Sequence, residues 1–174
     1  MDNQSNYLTG SFSDRTSAER AYNRLRERGY SDDEINIIMS EDTRKKYFDK
    51  EDEDKSRFGN KAMEGAGTGS AIGGALGATA GIIAAIGTSL VIPGLGFIVA
   101  GPIAAGLAGA GAGGITGGIV GALIGAGIPK ERAEKYESRI NEGEIVMGVQ
   151  PRNDEDAYYL EDDWRQYEGH DVYR

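Results

Sequence analysis

The chain contains 174 residues, has no cysteine and carries a formal net charge of −9. This length allows one ordinary domain with an additional element, and the lack of cysteine excludes disulfides and thiolate chemistry. The net acidity argues against nucleic acid as the main partner, because binding to phosphates requires a basic surface.

Residues 1–40 have the pattern of a β-α-β unit. Residues 6–12 alternate apolar and polar side chains, as a half-buried strand does, and residues 35–39 form a second, mostly apolar run. Between them, Thr16 begins a Thr-x-x-Glu capping box, and Gly29 stands where a helix would end. The residues expected on the buried face of this helix are Ala18, Ala21, Tyr22 and Leu25.

The arginines of the same predicted helix recur every four residues, at Arg20, Arg24 and Arg28. Such a basic face could contact anionic lipid headgroups. The alternative is a solvated surface with ion pairs inside the helix, to Glu19 and Glu27.

The second half of the domain is predicted further along the chain. Residues 41–61 form a charged connector without apolar periodicity, and residues 129–150 predict a helix over 130–141 followed by a strand over 144–149. Residues 151–174 form an acidic, tyrosine-rich tail, either disordered or docked on a neighbouring subunit. Together the halves predict an α+β fold, a small ferredoxin-like β-α-β…α-β domain lacking at most one strand and interrupted at its middle.

The interruption, residues 62–128, is predicted to be a glycine-zipper α-helical hairpin. No residue from 65 to 129 is charged, and glycine recurs every fourth position in two series. This spacing places the glycines on one face of each helix, where another helix can approach to backbone contact. The zipper positions are Gly65, Gly69, Gly73, Gly77 and Gly81 in the first arm and Gly109, Gly113, Gly117, Gly121 and Gly125 in the second. The turn between the arms is assigned to Pro93, Gly94, Gly96, Gly101 and Pro102.

The predicted arms, residues 62–90 and 102–127, are long enough to cross a bilayer. Each would be about 40 Å long at 1.5 Å per residue, and a bilayer core is about 30 Å thick. Lys61, Lys130 and Arg132 flank the block, which favours a hairpin with both ends on the cytoplasmic side. Membrane lipid is therefore an expected partner. The alternatives are hairpins buried between subunits of a soluble assembly and a disordered insert.

No motif predicts catalysis, a cofactor, a metal or a small-molecule substrate. Residues 109–114 formally match G-x-G-x-x-G, but they lack the preceding strand of a dinucleotide-binding unit. His170 is the only histidine, and it lies in the acidic tail, where a solvated side chain is expected. We therefore expect a protein that is not an enzyme.

Several segments resemble a known family. Residues 10–14, 18–21 and 29–35 resemble the bacterial general stress protein 17M-like domain, also called the heat-induced stress protein YflT type. Residues 92–96, 100–102 and 125–137 are similar to its glycine-zipper versions, known as low-temperature-induced or general stress proteins. The resemblance covers about residues 6–150. It implies a stress-induced bacterial protein of a family with no established enzymatic activity, and it supplies no catalytic residues.

The sequence and the resemblance together predict a protein that homo-oligomerises through the glycine zipper at or in the membrane, protecting or remodelling it. The expected location is the bacterial inner membrane, with the folded domain facing the cytoplasm, or alternatively the cytoplasm itself. Two other functions stay open: a soluble self-assembling scaffold and a regulatory ligand-binding module.

Overall fold

The computed structural model describes residues 7–48, 90–92, 96–104 and 117–174. The strands are β1 (Leu8–Phe12), β2 (Ile35–Ser40), β3 (Leu90–Ile92), β4 (Phe97–Ala100), β5 (Ile145–Val149) and β6 (Gly169–Tyr173). The helices are α1 (Arg15–Glu27), α2 (Glu41–Tyr47), α3 (Gly118–Gly125), α4 (Lys130–Asn141) and α5 (Asp154–Gln166), and a 3₁₀ turn spans Asp32–Glu34.

The strands form one six-stranded sheet in the order β3-β4-β2-β5-β1-β6. Every described pairing is antiparallel. Strands β1 and β2, joined through α1, are separated by β5; strands β5 and β6, joined through α5, are separated by β1. The core is therefore built from two split β-α-β units that interlock. The predicted α+β class is confirmed.

Helices α1 and α5 cover one face of the sheet. Leu8 and Phe12 of β1 both point to this side, since side chains alternate along a strand and residues four apart share a face. They meet Leu25 of α1 and Leu160 and Trp164 of α5 in one buried cluster. Burial of these large side chains removes apolar surface from water and stabilises the fold.

The start of α1 differs from the prediction. The helix begins at Arg15, and its N-cap is Asp14, whose carboxylate accepts hydrogen bonds from the backbone N–H of Ser17 at 2.9 Å and from its hydroxyl at 2.8 Å. The predicted capping box at Thr16 is therefore wrong. Asp14 is the better cap because its two carboxylate oxygens serve both donors of Ser17. These hydrogen bonds, the one from the backbone N–H first, lower the pKa of Asp14.

Helices α3 and α4 cover the opposite face. Tyr136 and Ile140 of α4 and Leu123 of α3 pack against Ile38 of β2 and Val146 of β5. All of α3 and α4 lies between β2 and β5 in the chain. The chain between β2 and β5 therefore covers the side of the sheet that α1 and α5 leave open.

The middle of the uncharged block contains strands where a turn between two helices was predicted. Strands β3 and β4 pair with each other, and β4 pairs with β2. Gly96 and Gly101 flank β4 with φ of +68° and +90°. A Cβ on Gly101 would lie 2.2 Å from the Ile35 carbonyl oxygen, so both the backbone angle and the close approach require glycine there.

The second predicted arm, residues 102–127, is not one continuous helix. Residues 102–104 are helical, but α3 starts anew at Gly118, which has a left-handed φ of +61°. A left-handed residue ends a right-handed helical run, and glycine adopts it without steric penalty. The first arm, except its last residue Leu90, lies outside the described residues, as do residues 105–116.

The prediction of a membrane-spanning hairpin is corrected by these lengths. Among the residues that the structure describes, no helix is both long enough and apolar enough to cross a bilayer. Helix α3 has eight residues. It is therefore about 12 Å long, less than half of a bilayer core of about 30 Å.

The predicted tail, residues 151–174, forms α5 and β6. Trp164 is fully buried, and its ring meets that of Phe12 edge-on with the centroids 5.5 Å apart. Strand β6 adds the outer strand beside β1, with a register shift between Thr9 and Ser11. The segment is therefore an integral part of the sheet and its core.

Candidate functional site

The zipper residues that the structure describes lie on the outer side of α3. Ile119, Ala122 and Leu123 are buried against the sheet. Gly117 and Gly125 are exposed, and Gly121 is half-buried. Beside Gly125 lies Ile124, a large apolar side chain that is 43% exposed. We call Gly117, Gly121, Ile124 and Gly125 the outer face of α3.

A side chain at two of these glycines would meet nothing in the described chain. A Cβ built on Gly121 or on Gly125 has no described atom within 4 Å, whereas one on Gly117 would lie 2.8 Å from the Cα of Gly121. Packing within the described domain therefore explains glycine at position 117 but not at positions 121 and 125.

The other predicted site residues are divided between the turn and the part outside the described residues. Gly65, Gly69, Gly73, Gly77, Gly81, Gly109, Gly113, Pro93 and Gly94 lie outside it. Gly96, Gly101 and Pro102 flank β4, and Pro102 also borders a cavity at the end of the sheet.

This cavity has a volume of about 330 Å³ and collects residues from four parts of the chain. Strands β1 and β2 begin at this end of the sheet, and β4 and β5 end there, because the neighbouring strands are antiparallel. The lining residues, which precede or follow these strands, are Tyr7, Asp33, Glu34, Pro102, Gln150, Pro151 and Arg152.

Arg152 links the loop between α1 and β2 to the loop between β5 and α5 at the cavity. Its Nη2 donates to the backbone carbonyl of Gly29 at 2.8 Å and to Glu34 Oε2 at 3.1 Å. Its guanidinium lies over the ring of Tyr30, 4.4 Å from the centroid. The Ser31 backbone N–H, the Ser31 hydroxyl and Arg152 together hold the pKa of Glu34 below its ordinary value. Glu34 and Arg152 are therefore a mutually neutralising pair.

Behind this pair, the loops are joined by a buried hydroxyl. Tyr30 accepts a hydrogen bond from the Arg152 backbone N–H at 3.1 Å and donates one to Asp156 Oδ2 at 2.9 Å. Burial, followed by the hydrogen bond to Asp156, raises the pKa of Tyr30 against the opposing hydrogen bond from Arg152. The cavity wall thus rests on a connected polar network.

The predicted basic face of α1 serves mainly to hold α5. Arg24 Nε donates to Asp163 Oδ1 at 3.0 Å, and Arg28 Nε donates to Asp156 Oδ1 at 2.8 Å. Arg28 also lies over the ring of Tyr159. Two of the three arginines are therefore engaged with the neighbouring helix, and Arg24 also forms the predicted pair inside α1, with Glu27 at 2.8 Å.

The two carboxylates of these bridges have opposite pKa shifts. Burial alone would raise the pKa of Asp156, but hydrogen bonds from Arg28 and Tyr30 outweigh it and lower the pKa. At Asp163, burial outweighs the charge of Arg24, and the pKa is raised. Asp163 Oδ2 is buried and has no hydrogen-bond partner among the described residues.

A second polar cluster lies at the opposite end of β5. Arg139 donates to Asp171 Oδ2 at 2.9 Å and to Glu144 Oε1 at 3.2 Å, and His170 Nδ1 lies 3.6 Å from the same Glu144 oxygen. In the described part of the chain, no three histidine or carboxylate side chains are grouped to hold a metal ion. This cluster fastens β6 to α4 and to the start of β5.

The sequence predictions missed every polar residue of the cavity. Asp33, Gln150 and Arg152 stand beside strand ends, which are ordinary places for charged and polar side chains. The only indication of the cavity in the sequence was the prediction that β1, β2 and β5 belong to a single sheet. Their pairing order, which the sequence does not give, is what brings these residues together.

Comparisons with known proteins found no match: no family model, no curated protein and no solved structure corresponds to the chain. The resemblance to the bacterial general stress protein 17M-like domain therefore stays a prediction that rests on its motifs.

Proposed function

We propose that this is a non-enzymatic structural protein that associates with copies of itself through the outer face of α3. In this proposal, β2, β5, β1 and β6 with α1 and α5 form a ferredoxin-like core. The glycine-rich insert between β2 and β5 supplies the contact surface. The resemblance to bacterial general stress proteins supports assembly in a stress response.

The observation that carries the proposal is the free space at Gly121 and Gly125. Three of the eight residues of α3 are glycine. In a water-exposed helix, each glycine costs about 1 kcal/mol relative to alanine. The described chain has room for a Cβ at both positions, so packing among the described residues does not require glycine there. Close contact with the backbone of another helix would explain glycine at these two positions.

Charge and apolar surface favour the same face. No charged residue lies between positions 65 and 129, so two copies can bring these surfaces together without desolvating a charge. Ile124 would lose its exposure to water in such a contact. Glycine faces permit the backbones to approach closely, and the resulting dispersion contacts offset the conformational entropy that glycine loses.

The decisive experiment separates the stability of the helix from self-association. In the Gly121→Ala/Gly125→Ala variant, the helix gains propensity, so the free energy of unfolding of the monomer should rise by up to about 1 kcal/mol per site. The same methyl groups should hold the facing backbones apart and weaken association. A Gly121→Leu/Gly125→Leu variant should be monomeric by sedimentation velocity while retaining its circular dichroism spectrum.

The matched control places two leucines four residues apart on α4, at the exposed positions Glu134 and Ser138. The Glu134→Leu/Ser138→Leu variant should sediment like the wild-type protein. A monomeric wild-type protein at high micromolar concentration, or an unchanged assembly in the leucine variant of α3, would disprove the proposal.

A further inference from the structure

We propose that the cavity at the end of the sheet binds a small organic cation, such as a primary alkylammonium. This binding site is separate from the outer face of α3 and does not depend on the proposed self-association. Its lining combines aromatic and proline surfaces with one carboxylate that has no partner among the described residues.

The charge balance of the lining decides the sign of the ligand. Asp33, Glu34 and Arg152 are the ionisable side chains with formal charge at neutral pH. Glu34 and Arg152 pair with each other at 3.1 Å, which leaves one negative charge, that of Asp33. The cavity is therefore anionic although it contains an arginine.

Arg152 is already engaged. Its guanidinium bonds to the Gly29 carbonyl and to Glu34, and its face stacks on Tyr30. An anionic ligand would have to break the pair with Glu34 and approach the uncompensated Asp33. Both steps oppose anion binding.

Asp33 is available. Its side chain makes no hydrogen bond or ion pair with any residue in the described ranges, and neither does the side chain of Tyr7 or of Gln150. An ammonium group has three N–H donors that point in different directions, so a carboxylate oxygen and a carboxamide oxygen can each accept one, and a tyrosine ring attracts a cation through its π face. These groups supply complementary partners for a cationic head.

The apolar part of the ligand would contact the prolines. Pro102 and Pro151 border the cavity and have no N–H that would require a hydrogen bond. A volume of about 330 Å³ accommodates a small molecule of a few carbon atoms and leaves space for water. The structure thus fits a short alkyl chain with an ammonium group at one end.

The test compares two probes that share a hydrocarbon chain but differ in charge, n-butylammonium and butyrate. The full-length protein with isotope-labelled tyrosine is titrated with each probe, and NMR follows the ring signals of Tyr7. Saturable shifts are expected with n-butylammonium and none with butyrate. Asp33→Asn should raise the Kd for n-butylammonium by about fivefold, since a partly exposed charge contact contributes up to about 1 kcal/mol.

The matched control is Asp42→Asn. Asp42 is also an exposed carboxylate in the first turn of a helix, α2, but it does not line the cavity. This variant should keep the wild-type Kd, and both variants should keep the wild-type circular dichroism spectrum. Equal binding of both probes, the absence of saturable binding, or equal effects of the two substitutions would overturn the proposal. Oligomer size is not a readout here, so the result is independent of self-association.

Discussion

The replacement of Trp164 by alanine tests whether α5 and β6 are part of the folded core. Trp164 is fully buried, contacts the edge of Phe12 and lies beside Gly10, where a Cβ would approach its ring to 3.1 Å. Tryptophan-to-alanine substitutions at such sites lower the free energy of unfolding by about 3–5 kcal/mol, through lost burial and the cavity left behind. The native state of a domain is stable by only about 5–15 kcal/mol, so Trp164→Ala should be severely destabilised.

The assay is urea unfolding followed by far-ultraviolet circular dichroism, because Trp164 is the only tryptophan and its fluorescence disappears with the substitution. The control on the same helix is Tyr158→Ala. Tyr158 is 60% exposed, and the guanidinium of Arg174 lies over its ring, 3.8 Å from the centroid. Its loss should lower the free energy of unfolding by less than about 1 kcal/mol. Similar small effects of both substitutions would refute the placement of α5 in the core.

Three further predictions concern polar groups. The pKa of Asp156 is lower in the folded state than its unfolded value of about 3.9, so the Asp156 carboxylate stabilises the fold above about pH 3.9. This stabilisation is lost as the pH falls through the folded pKa. Asp156→Asn should therefore reduce the loss of unfolding free energy on the acid side. The raised pKa of Asp163 has the opposite effect: the free energy of unfolding of the wild-type protein rises as the pH falls through the folded pKa towards about 3.9. Asp163→Asn should remove this rise. Parallel pH curves for the two variants would contradict these predictions. The buried side chain of Asn36 accepts a hydrogen bond from the Ile103 backbone N–H at 2.8 Å and donates one to the Gly148 carbonyl at 3.3 Å. Asn36→Leu leaves both backbone groups without this partner and should lower the free energy of unfolding in urea by about 1–3 kcal/mol. An unchanged free energy would show that these groups find other partners.

Helices α1 and α4, outside the glycine-rich block, were predictable from periodicity. Ala18, Ala21, Tyr22 and Leu25 recur at helical spacing and are buried in α1. The predicted helix over 130–141 is α4. These segments are amphipathic, so burial of one face gives a period that can be read directly.

The strands of the uncharged block were not predictable in the same way. Strands β3 and β4 are made of apolar residues only, and β4 is buried along its whole length. A strand buried on both faces has no alternation, and a short apolar run is consistent with a helix or a strand. The predicted turn contained the glycines that flank β4, but only pairing with β2 distinguishes a β-hairpin from a helical hairpin.

The tail was misread because its composition concealed its period. Ala157, Leu160 and Trp164 lie three and four residues apart and are buried in α5. Acidic residues and tyrosines fill the positions between them, which gives the average composition of a solvated segment. Strand β6 has no comparable signal, since its residues 169–173 are mostly polar and its place is set by pairing with β1.

The insert between β2 and β5 explains how one small domain could carry two independent surfaces. A sheet with helices on one face leaves an apolar face exposed to water, and α3 and α4 cover that face here. Helix α3 packs on the sheet through Ile119, Ala122 and Leu123, and its opposite side has no packing role within the described domain. The cavity, by contrast, is formed by strand ends and loops, and of its lining only Pro102 comes from the insert. Substitutions on the outer face of α3 should therefore leave the cavity intact, and those at Asp33 should leave assembly unchanged.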